Sequence, residues 1–192
     1  MNAASDFSEY LKYIKNLTNI PIVKTGFNKF DEALGGGLHG GRLYVIGAIS
    51  SLGKTSFALN IADNIACTGR DVLILSLEMG KYELMTKSIS RETFKLCLKE
   101  GMNINNYQAF SALEIVDKSS YEKYSKEKKE ILKLAIDNYT KTKSKYIYIS
   151  EGIGDTGVKQ IRETIDNFKQ LEHPTPVVIV DYMQILSPYN KV

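Results

Sequence analysis

Cysteine is scarce in this chain of 192 residues: there are two, Cys67 and Cys97, far apart in the sequence. Two separated thiols make neither a metal-ligand spacing nor a disulfide framework, so both read as reduced. Cys67 falls in an apolar helical run and reads as structural. Long apolar runs are also missing. No stretch approaches the ~20 residues that cross a bilayer, and Met1-Asn-Ala-Ala-Ser5 lacks the basic start and apolar centre of a secretory leader. The expected setting is cytoplasmic, without a membrane partner. An excess of one charge is lacking as well. The 25 Lys and Arg against 22 Asp and Glu leave a net +3, which permits a polyanionic partner without arguing for one. What is present, 43% hydrophobic and 24% charged residues, suits a globular protein. The length suits one domain with a sizeable core and a short appendage.

The chain is organised around Leu43-Tyr-Val-Ile-Gly-Ala-Ile-Ser-Ser-Leu-Gly-Lys-Thr-Ser56. Leu43 to Gly47 predicts a short buried strand, and helical spacing resumes from Thr55 through Phe57, Ala58, Ile61, Ala62 and Ile65. Strand, small polar loop, Gly-Lys-Thr and helix together are the context of a phosphate-binding P-loop. Loop amides and the helix N-terminus would converge on one anion. Residues Ala48, Ile49, Ser50, Ser51, Leu52, Gly53, Lys54, Thr55 and Ser56 are therefore the candidate nucleotide-binding set. Lys54 would sit at the β- and γ-phosphates of ATP and the Thr55 hydroxyl on Mg²⁺. Ala48 departs from the G-x-x-x-x-G-K-[ST] pattern, which has glycine there. Either the loop is relaxed at that point or nucleotide affinity is lowered.

Around this centre, residues 5–17 predict an amphipathic helix with Phe7, Tyr10, Leu11, Ile14 and Leu17 on one face and Ser5 or Asp6 as its cap. That face either packs on its own domain or docks on a neighbouring subunit. Thr18 to Pro21 breaks the helix, and Lys24 to Leu34 reads as a turn and short helix. Gly35 to Gly41 reads as a mobile loop, with His39 exposed and without chemistry. Asp71 to Leu77 predicts a second buried strand that delivers Glu78 at its carboxyl end, where open α/β sheets gather their chemistry. Glu78 is either the group that polarises an attacking water or a helix N-cap or surface acid.

Gly80 to Leu98 predicts a helix with Leu84, Ile89 and Phe94 inward, and 101–118 one or two short helices. Tyr121 to Tyr139 predicts a charged helix with Tyr124, Ile131, Leu132, Ala135, Ile136 and Tyr139 on its buried side. Its lysines, interspersed with Glu122, Glu127 and Glu130, read as a solvated face rather than a nucleic-acid patch. Tyr146 to Ile149 predicts a third strand, and Ser150 to Asp155 a loop. Thr156 to Leu171 predicts a helix with Val158, Ile161, Ile165 and Phe168 inward. Glu172 to Pro176 stops that helix, with His173 at the surface. Val177-Val-Ile-Val-Asp181 has the form of a Walker B segment, an apolar strand ending in an acid that holds Mg²⁺ through its water shell.

From Lys24 to Pro188 the chain resembles the C-terminal motor domain of DnaB-type replicative helicases, within the RecA-like ATPases. The resemblance rests on Thr25-Gly-Phe27 with Asp31, Gly35-Gly-Gly-Leu38, Ala48-Ile-Ser-Ser-Leu-Gly-Lys-Thr55, Ser76-Leu-Glu-Met79 and Asp181-Tyr-Met-Gln184. That family commonly carries alanine at the position of Ala48, and an Arg-Pro pair where this chain has Ile49-Ser50. It implies a RecA-like α/β fold, a mostly parallel sheet flanked by helices, over 21–192, preceded by a linker helix within 1–20. It implies Lys54 on the phosphates, Thr55 and Asp181 at Mg²⁺ and Glu78 as the water-activating carboxylate. Gln184 matches a family glutamine of unassigned role. The implied cofactors are ATP and Mg²⁺. The implied partners are single-stranded DNA, further copies of the chain in a hexameric ring, and a primase or loader, in bacterial, phage or plasmid replication.

The resemblance also places a further strand, DNA-contacting loops and an arginine finger after Walker B. None of Arg42, Arg70, Arg91 and Arg162 takes the finger's place in the motif order. The expectation is an incomplete motor with poor turnover and no unwinding. Two other readings are a recombinase or clock-type ATPase of the same superfamily, and a nucleotide-binding module that assembles with a helicase ring without hydrolysing.

Overall fold

Apolar residues spaced three and four apart give helix α1 (Phe7–Leu17), as predicted, yet its stripe is open to solvent, with Phe7 57% and Tyr10 53% exposed. The computed structural model describes residues 7–17, 21–99, 109–152, 157–170 and 175–181. Readings on Ser5, Asp6, Thr18 to Ile20, the stretch 101–108, Ile153 to Thr156, His173 and Gln184 lie outside them. The chain divides into two units, Met1–Gly47 and Ala48–Val192.

In the first unit, β1 (Ile22–Val23) and β2 (Leu38–His39) flank α2 (Asn28–Ala33) and pair antiparallel, Ile22 opposite His39 and Val23 opposite Leu38. Thr25 is buried and donates from both its amide (2.8 Å) and its hydroxyl (2.7 Å) to Asp31 Oδ1, which ties the turn to the helix. Gly37 explains the glycine run. Its φ is +139°, and a Cβ there would stand 2.6 Å from the Val23 carbonyl oxygen, so only glycine lets the strands close. The stretch 35–41 is thus partly a strand and not the mobile loop predicted. His39 is half-buried rather than exposed, with Nε2 3.1 Å from the Leu34 carbonyl.

A second correction concerns Leu43 to Gly47, predicted as a buried strand. No strand forms there, and Leu43 is 82% and Val45 73% exposed. An apolar run becomes a strand only when a neighbour supplies ladder bonds and cover. Among the described residues nothing pairs with this one.

The second unit comprises α3 (Lys54–Ala66), β3 (Val72–Ser76), α4 (Lys81–Lys99), α5 (Ala112–Val116), α6 (Lys118–Tyr121), α7 (Lys126–Thr142), β4 (Ile147–Glu151), α8 (Val158–Gln170) and β5 (Val177–Asp181). The three strands form a parallel sheet in the order β4-β3-β5, with Ser76 level with both Glu151 and Asp181. All of β3 is buried, as a strand covered on both faces must be. Leu73 and Leu75 meet Ile161, Ile165 and Phe168 of α8, with Tyr148 edge-on to Phe168 at 4.7 Å. Val72 and Ile74 point the other way by strand alternation. Leu59, Ile61, Ala62, Ile65 and Ala66 of α3 add to the core.

The predicted helix from Tyr121 is split: α6 ends at Tyr121, and Ser125 caps α7 by accepting from the Lys128 amide at 3.2 Å. Phe94, Ile136 and Val158, expected inside, are 43%, 42% and 47% exposed, because they lie at the margins of their stripes. Both cysteines are free, but Cys67 is exposed at the end of α3, while Cys97 is buried. No described helix is long and apolar enough to cross a membrane.

A buried charge network ties three helices together. Asp63 of α3 is fully buried, pairs with Arg91 of α4 and accepts from Ser88 Oγ at 3.2 Å. Glu92, the next residue on α4, pairs at 2.5 Å with Lys143, which follows α7 and is 2% exposed. Burial pushes the Asp63 carboxyl above its ordinary range, and the charges of Arg91 and Lys143 oppose this without reversing it. At Glu92 burial also pushes upward, but Lys143 and then Lys95 outweigh it and hold the group low. Burial and the nearby Asp63 push the Tyr139 hydroxyl up to about 12.

Two outcomes are expected. Arg91→Ala should cost about 3–5 kcal/mol in urea unfolding, because it leaves Asp63 buried without its cation; Arg91→Met with Asp63→Leu should cost less. At the surface, hydrogen bonds from Lys128 and the Ser111 amide hold Glu114 down at about 2. A lowered carboxylate stabilises above its unfolded value of roughly 4.3 and loses that contribution as pH falls through the folded one. The destabilisation of Glu114→Gln, no more than about 1 kcal/mol for a partly exposed pair, should therefore be full at pH 6 and gone by about pH 2.

Candidate functional site

The residues before α3 build a loop closed by its own lysine. Gly53 sits at the helix cap with φ +85°, a left-handed conformation suited to glycine, and Ser51 also has a positive φ of 63°. The first helical bond runs from the Phe57 amide to the Gly53 carbonyl at 2.9 Å. The amides of Lys54, Thr55 and Ser56 therefore come before the intrahelical ladder begins, at the positive end of a 13-residue helix. Lys54 Nζ donates to the Ala48 carbonyl at 2.9 Å and the Ile49 carbonyl at 3.2 Å, which draws the loop around the ammonium. Free amides, a helix dipole and a cation at one loop are what a phosphate ester binds.

The sheet supplies the acids. Parallel register sets Asp181 level with Ser76, and the Leu77 amide donates to the Asp181 carbonyl at 2.8 Å, so the turn bearing Glu78 leaves the sheet beside Asp181. Ser76 is buried, and its hydroxyl both donates to the Met79 carbonyl (2.7 Å) and accepts from the Met79 amide (3.3 Å). Glu78 itself is exposed. Asp181 is 7% exposed, and its Oδ2 finds no hydrogen-bond partner among the described residues. A buried carboxylate oxygen without a donor suits a bound cation or its water shell. Among the described residues no cluster of three His, Cys, Asp or Glu could hold a metal. A lone acid fits Mg²⁺ only where phosphates and water carry most of the shell.

The sheet thus brings the Glu78 turn and Asp181 to one end, while Lys54 and Thr55 begin α3 in the same unit. Glu151 was not anticipated. It ends β4 level with Ser76 and accepts the Lys81 amide at 2.6 Å. No local pattern marks it, because its partner lies in a distant part of the chain.

A family model described as the DnaB-like helicase C terminal domain matches residues 22–192. The replicative DNA helicase DnaC of Bacillus subtilis (strain 168) is 31% identical over 173 residues, which cover 90% of this chain and 32% of that protein. The replicative DNA helicase DnaB of Geobacillus stearothermophilus is 30% identical over 172 residues, covering 89% and 32%. This chain therefore spans about a third of the length of these relatives. Among solved structures, the ATPase domain of G40P is similar with a TM-score of 0.70 and 26% identity, over 99% of this chain and 60% of that one. A DnaB-like replicative helicase described with its interactions with primase is similar with a TM-score of 0.69 and 26% identity, over 97% and 40%.

Asp181→Asn separates ligand binding from folding. In the presence of a chelator its stability to urea should stay within about 1 kcal/mol of the parent, since among the described residues Oδ2 has no bond to lose. Affinity for a fluorescent ATP analogue with Mg²⁺ should fall relative to affinity without it. A loss above about 2 kcal/mol in stability would make the aspartate structural.

Proposed function

Because the chain belongs to the family of DnaB-like helicase C-terminal domains, we propose that it is the ATP-binding motor portion of a replicative, ring-forming DNA helicase. The observation that carries this reading is the loop closed by Lys54, in one unit with a sheet whose neighbouring strands end at the Glu78 turn and at Asp181. In this reading Lys54, the loop amides from Ala48 to Gly53 and those of Thr55 and Ser56 hold the phosphates of ATP and offset the charge that develops on the γ-phosphoryl group. Glu78 orients the attacking water and takes up its proton. Thr55 and Asp181 would hold Mg²⁺, which when bound neutralises phosphate charge. Gln184, matched only by resemblance, is left as a candidate contact of the same site.

The proposed partners are single-stranded DNA and further copies of the chain. Phe7, Tyr10, Leu11 and Ile14 on α1 are the surface offered for docking on a neighbouring copy, supported by their exposure. A primase contact is proposed by analogy with the similar helicase described with primase. A second reading is a nucleotide-binding module that assembles with a ring and does not hydrolyse; exposed Leu43, Val45 and Ile46, apolar and without a strand partner among the described residues, support the assembly it requires.

ATP turnover with Mg²⁺, measured with and without single-stranded DNA beside a fluorescent-nucleotide titration, tests the two. The motor reading expects turnover that is slow in this incomplete motor but rises above the Lys54→Ala blank when single-stranded DNA is added. Lys54→Ala should weaken nucleotide binding about 10- to 100-fold, the scale of a charge-assisted contact. Binding without turnover supports the module, and absence of both overturns each.

A further inference from the structure

We propose that Glu151 is a positioning residue for Glu78: from the end of β4 it clamps the start of α4 and so fixes the turn that carries the water-orienting carboxylate. The inference rests on the proposed role of Glu78. It begins from the shortness of the connection, since only Leu77, Glu78, Met79 and Gly80 separate β3 from α4. Three restraints come from the sheet or the turn itself. The Leu77 amide donates to the Asp181 carbonyl at 2.8 Å, the Gly152 amide to the Ser76 carbonyl at 2.9 Å, and Ser76 Oγ exchanges bonds with Met79. These hold the exit of β3 as far as Met79. At the entry to α4 the Gly80 carbonyl accepts the Glu83 and Leu84 amides at 3.1 Å, which ties Gly80 to the helix but not to the sheet.

Glu151 supplies that tie to the sheet. Its Oε1 accepts the Lys81 amide at 2.6 Å, and among the described residues it is, beside the Ser76 hydroxyl at the end of β3, the side chain from another element that bonds residues 77–81. A Cβ on Gly80 would stand 3.3 Å from the same oxygen, so the carboxylate lies directly against the backbone after Glu78 and Met79. The Lys81 amide opens a 19-residue helix, where an anion is also favoured by the helix dipole. Register makes the clamp rigid: β4 pairs with β3 so that Glu151 is level with Ser76. The two ends of the Glu78 turn are thereby referred to one sheet. Glu151 is exposed, so this placement is not a demand of core packing. Positional tolerance at a reacting water is small, and a misplacement of about 1 Å can cost about 100-fold in rate.

The test compares the full chain with Glu151→Ala, with Glu151→Gln, which keeps an acceptor oxygen for the Lys81 amide, and with Glu78→Ala. Amide hydrogen exchange across 77–84 is measured first. Exchange at Lys81 should be about tenfold faster in Glu151→Ala, the scale of a lost helix cap, and close to the parent in Glu151→Gln. In Mg²⁺–ATP turnover, Glu151→Ala should lower kcat about tenfold or more with KM within about twofold, and Glu151→Gln should restore most of the rate. Unchanged exchange in Glu151→Ala overturns the clamp, whether or not the parent turns over fast enough to divide kcat from KM. A raised KM with kcat intact overturns the positioning role. Parental turnover in Glu78→Ala overturns instead the reading of Glu78, and the exchange result then stands by itself.

Discussion

Everything in the second unit depends on β3 being hydrogen-bonded along both edges in parallel register. A strand so placed has no face or edge for water, and Val72 to Ser76 are accordingly apolar up to a small, internally satisfied hydroxyl. Register fixes more than the core. It sets Ser76, Glu151 and Asp181 at one level, so two acids and the turn carrying a third are delivered to the carboxyl end of the sheet without any loop having to place them. The helices α3 and α8 then serve as cover, with Phe168 and Ile65 among the side chains that exclude water from the strands.

Much of this is readable from residues alone, and the reason is local. The runs Val72 to Leu75 and Val177 to Val180 are continuous, β-branched or aliphatic, and bounded by turn-forming sequence, so their strand character needs no knowledge of the partner. Helix α3 announces itself through Gly53-Lys-Thr and the spacing of Ile61, Ala62 and Ile65. Leu43 to Gly47 carries the same apolar signal and forms no strand, because apolar character states a preference and a ladder requires a second strand. The buried charges are hidden for a related reason. Glu92 and Lys143 stand among other charged residues, and only the packing of α4 along α7 buries them, while Asp63 sits in the apolar run of α3 and takes its cation, Arg91, from α4. The start of α5 is set locally as well, by a capping box of Ser111 and Glu114, although the residues alone predict only one or two short helices over 101–118.

The site divides along the same line. The residues of the proposed phosphate loop are contiguous and form a pattern, whereas the sheet residues are assembled by register across distant parts of the chain. Glu78 and Asp181 could be picked out because each follows an apolar strand. Glu151 also follows one, but its service is to a backbone amide, and a bond of that kind leaves no residue-type signature on the partner side. Ser88, Thr93 and Ser76 are buried and each bonded. The Oδ2 of Asp181 is one of several buried polar atoms without a hydrogen-bond partner among the described residues, beside Arg70 Nε, Arg91 Nε and the ion-paired Glu92 Oε1. Of these residues it alone stands at the carboxyl end of the sheet.

The two carbonyls held by Lys54 bear on how the loop would cycle. An ammonium already committed to Ala48 and Ile49 does not arrive at a phosphate unbonded. Anion capture becomes an exchange of partners, and the net gain is the difference between a charged acceptor and two neutral ones. Such a loop keeps its shape through the exchange, since the same lysine can rebond its own backbone as an anion leaves. In the proposed nucleotide-binding role, a loop whose lysine rebonds its own backbone favours repetition over retention.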